Sequence, residues 1–85
     1  MEMISKLVKN KEIKLSRITV EGYMISLLIN KFTKLIDRHC SGEVEVDNAT
    51  DSTIVFIFWT DDISMNRIKN EIHKYNVNMK ADIMN

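Results

Sequence analysis

Thr53-Ile54-Val55-Phe56-Ile57-Phe58-Trp59 is β-branched or aromatic at every position. Such side chains pack well on a pleated surface, so the stretch reads as a strand at the centre of a sheet. The polar run Asn48–Ser52 precedes it as a five-residue loop. Before that, Glu43–Asp47 alternates strictly, with Val44 and Val46 on one side and three carboxylates on the other. The two runs together predict a β-hairpin.

Downstream, Thr60, Asp61 and Asp62 offer N-caps and negative charge for a helix. Met65, Ile68, Ile72 and Tyr75 form its apolar face, His73 and Lys74 suit its C-terminus, and Asn76 can end it. Val77, Met79, Ala81 and Ile83 then alternate with Asn78, Lys80 and Asp82, which predicts a last strand. Upstream, the periodicity predicts a helix over Val20–Cys40. Its N-cap is Thr19, its apolar face runs from Val20 through Met24, Leu27, Leu28, Phe32 and Leu35 to Ile36, and Gly42 terminates it. Glu12–Ile18 alternates at first and predicts a strand with Ile13 and Leu15 inward. Residues 2–9 are ambiguous: Ile4, Leu7 and Val8 fit one short helical face, and Met3, Ser5 and Leu7 fit a strand less well.

The resulting order is β-α-β-β-α-β. It predicts an α+β ferredoxin-like fold: a four-stranded antiparallel sheet in the order 4-1-3-2, both helices on one face, and a short N-terminal segment. At 85 residues the chain is expected to form a single domain. A chain of this length buries only roughly 60–65% of its unfolded surface, so its stability is expected to be modest unless it associates.

In that arrangement one sheet face stays open. Glu43, Glu45 and Asp47, Lys14 and Ser16, and Asn78, Lys80 and Asp82 are expected on it. The third strand breaks the polar pattern, because both of its faces are apolar. A face packed against two helices needs most volume at the strand centre, which assigns Ile54, Phe56 and Phe58 to the core. Val55, Ile57 and Trp59 are then left outward. A contiguous outward apolar stripe marks a contact surface. The expected binding residues are therefore Val55, Ile57 and Trp59, with Glu43 and Glu45 alongside. Met3, Ile4 and Leu7 are the candidates for covering the stripe from within the chain.

Little else points to chemistry. Twelve basic and twelve acidic residues cancel, so the surplus of cations that phosphate binding needs is absent overall. Lys6, Lys9, Lys11 and Lys14 form a local exception. Combined with Phe56 and Phe58, or with Trp59, they constitute the alternative reading as a single-stranded nucleic-acid binder. Against it, the first strand has no aromatic and the second adds three carboxylates. His39 and Cys40 are neighbours on a helix and diverge by about 100°. No His or Cys pair has zinc spacing, Asp61-Asp62 lacks the rest of a calcium loop, and the two glycines lie twenty residues apart, which rules out a phosphate loop.

The expectation is a small non-enzymatic module, with no cofactor and no metal, that binds a protein partner or itself as a homo-oligomer through the open face. Residues 1–15 lack a continuous apolar segment, and the longest apolar run, Ile54–Trp59, is far short of a membrane span. With one cysteine, a reducing cytoplasm is the simplest setting. Ile, Lys and Asn supply 29 residues against two Ala and no Pro, a bias of AT-rich coding DNA that points to a phage, a virus or a low-GC microbe, and a phage or viral factor acting on a host protein is the matching expectation.

Overall fold

The structure, a computed structural model, describes residues 12–84. It is an α+β arrangement of four antiparallel strands and two α-helices. The strands are β1 (Lys14–Glu21), β2 (Ser41–Ala49), β3 (Thr53–Thr60) and β4 (Asn78–Ile83). The helices are α1 (Ile29–His39) and α2 (Asp62–His73), and a single 3-10 turn, Ile25–Leu28, leads into α1. The sheet order is β2-β3-β1-β4, which reads 4-1-3-2 from the β4 edge. The segment expected to cover the stripe (Met3, Ile4 and Leu7) and the lysines at 6, 9 and 11 lie outside the described residues.

β3 runs down the middle as its composition requires. Ile54, Phe56 and Phe58 are buried, with at most 1% exposure. They stand opposite Val20, Ile18 and Ser16 of β1, and α1 (Phe32, Leu35, Ile36) and α2 (Ile68, Ile72) close the same cluster. Both helices therefore cover one sheet face. Tyr75, just past α2, meets the Phe32 ring edge-on at 5.1 Å between centroids, which ties the two helices together at the rim of the core.

Asp61 caps α2: its carboxylate accepts from the Ser64 N–H at 2.7 Å, satisfying a first-turn donor that the helix itself cannot. At the other end Asn76 takes a positive φ of 56°, a conformation its short polar side chain tolerates, and turns the chain into β4.

The structure departs from the expected pattern at four places. First, β1 is Lys14–Glu21 rather than Glu12–Ile18, so Thr19 and Val20 are strand residues and not the start of a helix. The β-branched run Ile18-Thr19-Val20 favours extended backbone, and it is paired on both sides, with β3 and β4. The inward set is then Ser16, Ile18 and Val20. Ser16 does not lie on the open face; buried, its hydroxyl donates to the Lys14 carbonyl at 3.2 Å. Lys14 shares that side and reaches Asp62 at 4.0 Å.

Second, the helix does not begin at Val20. The chain turns at Gly22–Met24, where Met24 has a left-handed φ of 51°. Within the 3-10 turn the side chains leave the α-helical period, so Leu27 is 73% exposed and Ile25 is buried, while Leu28, Phe32, Leu35 and Ile36 keep the inward side expected of them. Third, Gly42 does not terminate α1. The helix ends at Cys40, whose backbone is extended, and the positive φ of Gly42 falls inside β2, between Ser41 and Glu45, where the pairing register with β3 shifts. Fourth, the hairpin loop is Thr50–Ser52, shorter than expected. The Thr50 hydroxyl accepts from the N–H groups of Ser52 and Thr53 at 3.3 and 3.0 Å, so one side chain replaces two backbone partners.

Candidate functional site: the open sheet face

The face opposite the helices is built from the other parity of each strand. On β3 it carries Val55 and Ile57, both half-buried, and Trp59, 48% exposed. Leu15 of β1 stands opposite Trp59, so the apolar column widens at that end. Glu45 of β2 pairs with Ile57. Glu43 lies two residues earlier and shares its side by alternation, since Val44 between them packs on the core. The five residues expected from sequence thus occur on one continuous surface, with the apolar residues on a central strand and the carboxylates on the edge strand beside it.

The other side of the column is polar. Across the sheet from Ile57 come Arg17 and then Asp82, joined by a guanidinium-to-carboxylate contact of 3.4 Å. Both are substantially exposed, so the pair contributes little to stability. Val55 is followed by Thr19 and Lys80. Arg17, Thr19, Glu21, Asp47, Val55 and Lys80 line a concavity open to solvent on this face.

Leu15, Arg17 and Thr19 were missed at the sequence level, where the first strand's open face was assigned to Lys14 and Ser16. The available signal was the run Ile18-Thr19-Val20, which fixes the strand's parity once it is read as sheet.

Phe56 and Phe58 face the helices and are sealed from solvent, so neither can stack on a base. Of the aromatics considered for nucleic-acid binding, Trp59 alone reaches the surface. His39 joins the packing of the two helices. It lies against Glu71 of α2, which Arg38 also approaches at 3.9 Å, and this cluster fastens the end of α1 to α2. His73 is exposed at the end of α2. Among the described residues, no helix is long and apolar enough to cross a membrane.

Cys40 ends α1, and its thiol approaches the Gly42 carbonyl at 3.4 Å. Burial raises its pKa above the ordinary value of 9.0, and the charge of Asp37 adds to the rise. The fold favours the neutral thiol, so the resulting stability is full below the unfolded value and is lost as pH rises through the folded one. Since the thiolate is the nucleophile, iodoacetamide at pH 8 is expected to alkylate Cys40 more slowly in the folded protein than in urea. Equal rates, followed by mass spectrometry, would contradict this environment.

No protein-family model matches this chain, and no curated protein matches it.

Proposed function

We propose that the chain is a non-enzymatic binding module of the ferredoxin-like type that takes a protein partner, or a second copy of itself, on its open sheet face. The observation that carries this reading is the column Val55–Ile57–Trp59, apolar and uncovered by either helix, on a sheet whose outer strands are polar on that face. The 4-1-3-2 order and the shared core of α1 and α2 support the fold assignment. Trp59 is the anchor, since a half-exposed tryptophan offers large apolar area at small entropic loss and is enriched at binding hot spots. Glu43 and Glu45 stand at the rim, where they set the orientation and the charge of the partner. A reducing cytoplasm, with Cys40 as a free thiol, is the setting this reading favours.

Light scattering on the eluting protein, together with affinity capture from a lysate, tests it. Wild type is expected to self-associate or to capture a saturable partner. Trp59→Ala is expected to weaken that association at least about tenfold, in line with the loss of about 1.4 kcal/mol or more at a hot spot. A protein that stays monomeric and captures nothing, or a variant that binds as wild type does, refutes the reading.

A further inference from the structure

Charge is segregated along this chain in a way its zero net charge conceals. Between His39 and Asn66 there is not one Lys or Arg, whereas Glu43, Glu45, Asp47 and Asp51 all fall on the β2–β3 hairpin. All twelve basic residues lie outside that span. The edge strand beside the apolar column is therefore an uninterrupted acidic rim.

The complement is on the opposite side of the molecule. Leu27, Lys31, Lys34 and Arg38 recur at i, i+4, i+7 and i+11, so they form one line on the surface of α1 and the turn before it. Together with Asn30 they line a second open concavity. Leu27 is the protruding apolar residue there, 73% exposed. Lys31 rests 5.8 Å from the centre of the Tyr75 ring, and Arg38 approaches Glu71 while remaining largely exposed. One surface is an apolar column with an acidic rim; the other is an apolar knob with a basic stripe.

The two match in length as well as sign. Glu43 to Asp47 spans about 13 Å at the strand rise of roughly 3.3 Å per residue. Lys31 to Arg38 spans about 10 Å at the helix rise of 1.5 Å.

We infer that the occupant of the open face is the α1 face of a second copy of this chain. Leu27 meets the column of Ile57 and Trp59, and Lys31, Lys34 and Arg38 meet Glu43, Glu45 and Asp47. This rests on the open-face reading proposed above and names its partner. Because the two surfaces differ, the contact is head-to-tail and repeats from copy to copy into a ring or an open chain. It is also salt-sensitive, since the charges on both sides are solvent-exposed.

Charge reversal tests it. One variant combines Lys31→Glu, Lys34→Glu and Arg38→Glu; the other combines Glu43→Lys, Glu45→Lys and Asp47→Lys. Sedimentation velocity is run at about 50 mM and about 0.5 M salt, a range over which screening of exposed charges changes strongly. Wild type is expected to exceed its monomer mass of 9.9 kDa at low salt and to shift toward monomer at high salt. Each variant alone is expected to remain monomeric, and an equimolar mixture of the two to recover the assembly. If either triple variant loses its circular-dichroism signal, the single pair Lys34→Glu and Glu45→Lys replaces it. A wild type monomeric at low salt, a variant that assembles alone, or a mixture that does not recover overturns the inference. If reversal has no effect but Ile57→Ser still abolishes assembly, the open-face reading stands and this partner falls. If Ile57→Ser assembles normally, the open-face reading itself fails.

Discussion

Phe56→Ala is expected to cost about 3–5 kcal/mol of folding stability, the range for truncating a buried phenylalanine. Phe56 has no exposed surface. On the sheet it is flanked by Ile18 of β1 and Val46 of β2, and the helices close over it. The ring thus sits where three strands and two helices meet, and no neighbour can move into its volume without moving an element. A domain of this size has a total stability of only about 4–13 kcal/mol, so the variant is expected to lose a large share of it. Urea unfolding followed by circular dichroism reads the change as a lower midpoint at similar slope. A loss below about 1 kcal/mol would mean that the core has its centre elsewhere.

Ile57→Ser, one residue along, is expected to behave in the opposite way. Ile57 faces away from the helices, between Glu45 and Arg17, and is only half-buried. Its removal should cost roughly 1–2 kcal/mol, given the incomplete burial, and leave a folded monomer. Association, by contrast, is expected to disappear, because a hydroxyl at the middle of the column breaks its apolar continuity and must be desolvated on binding. Light scattering and urea unfolding on the same samples separate the two effects. If Ile57→Ser unfolds the domain as Phe56→Ala does, both faces of β3 are covered from within the chain, and the binding reading loses its basis.

That contrast between adjacent residues was legible in sequence. Once β3 is a central strand, side-chain volume alone puts Ile54, Phe56 and Phe58 under the helices, and strict alternation sends Val55, Ile57 and Trp59 the other way. The hairpin and α2 were legible for similar local reasons: the alternation of Glu43–Asp47 and the cap at Asp61 act within a few residues. β1 was less so. Ile13 and Leu15 mimic the start of an alternating strand, while the true inward set includes a serine, and Ser16 is buried because it shares the helix-covered side of β1 with Ile18 and Val20, opposite Phe58. The start of α1 was hidden by Met24, whose left-handed backbone leaves no mark in its side chain. The acidic rim is visible in the sequence as the three carboxylates of Glu43–Asp47, within a stretch from His39 to Asn66 that holds no Lys or Arg, although the net charge of the chain is zero.

The position of β1 in the sheet also bears on how the domain assembles in time. Its residues pair with positions 32 to 46 further along the chain in β3, and with others still later in β4. α1, α2 and the β2–β3 hairpin need only local contacts. The inner strand therefore pairs only after long loops have closed, and their entropic cost falls before any ladder hydrogen bond offsets it. During synthesis, Lys14–Glu21 leaves the ribosome first among the described strands, and its ladder partner Thr53–Thr60 follows only after α1 and β2, so the β1–β3 pairing that sets Ile18 and Val20 beside Phe56 and Ile54 waits through that interval.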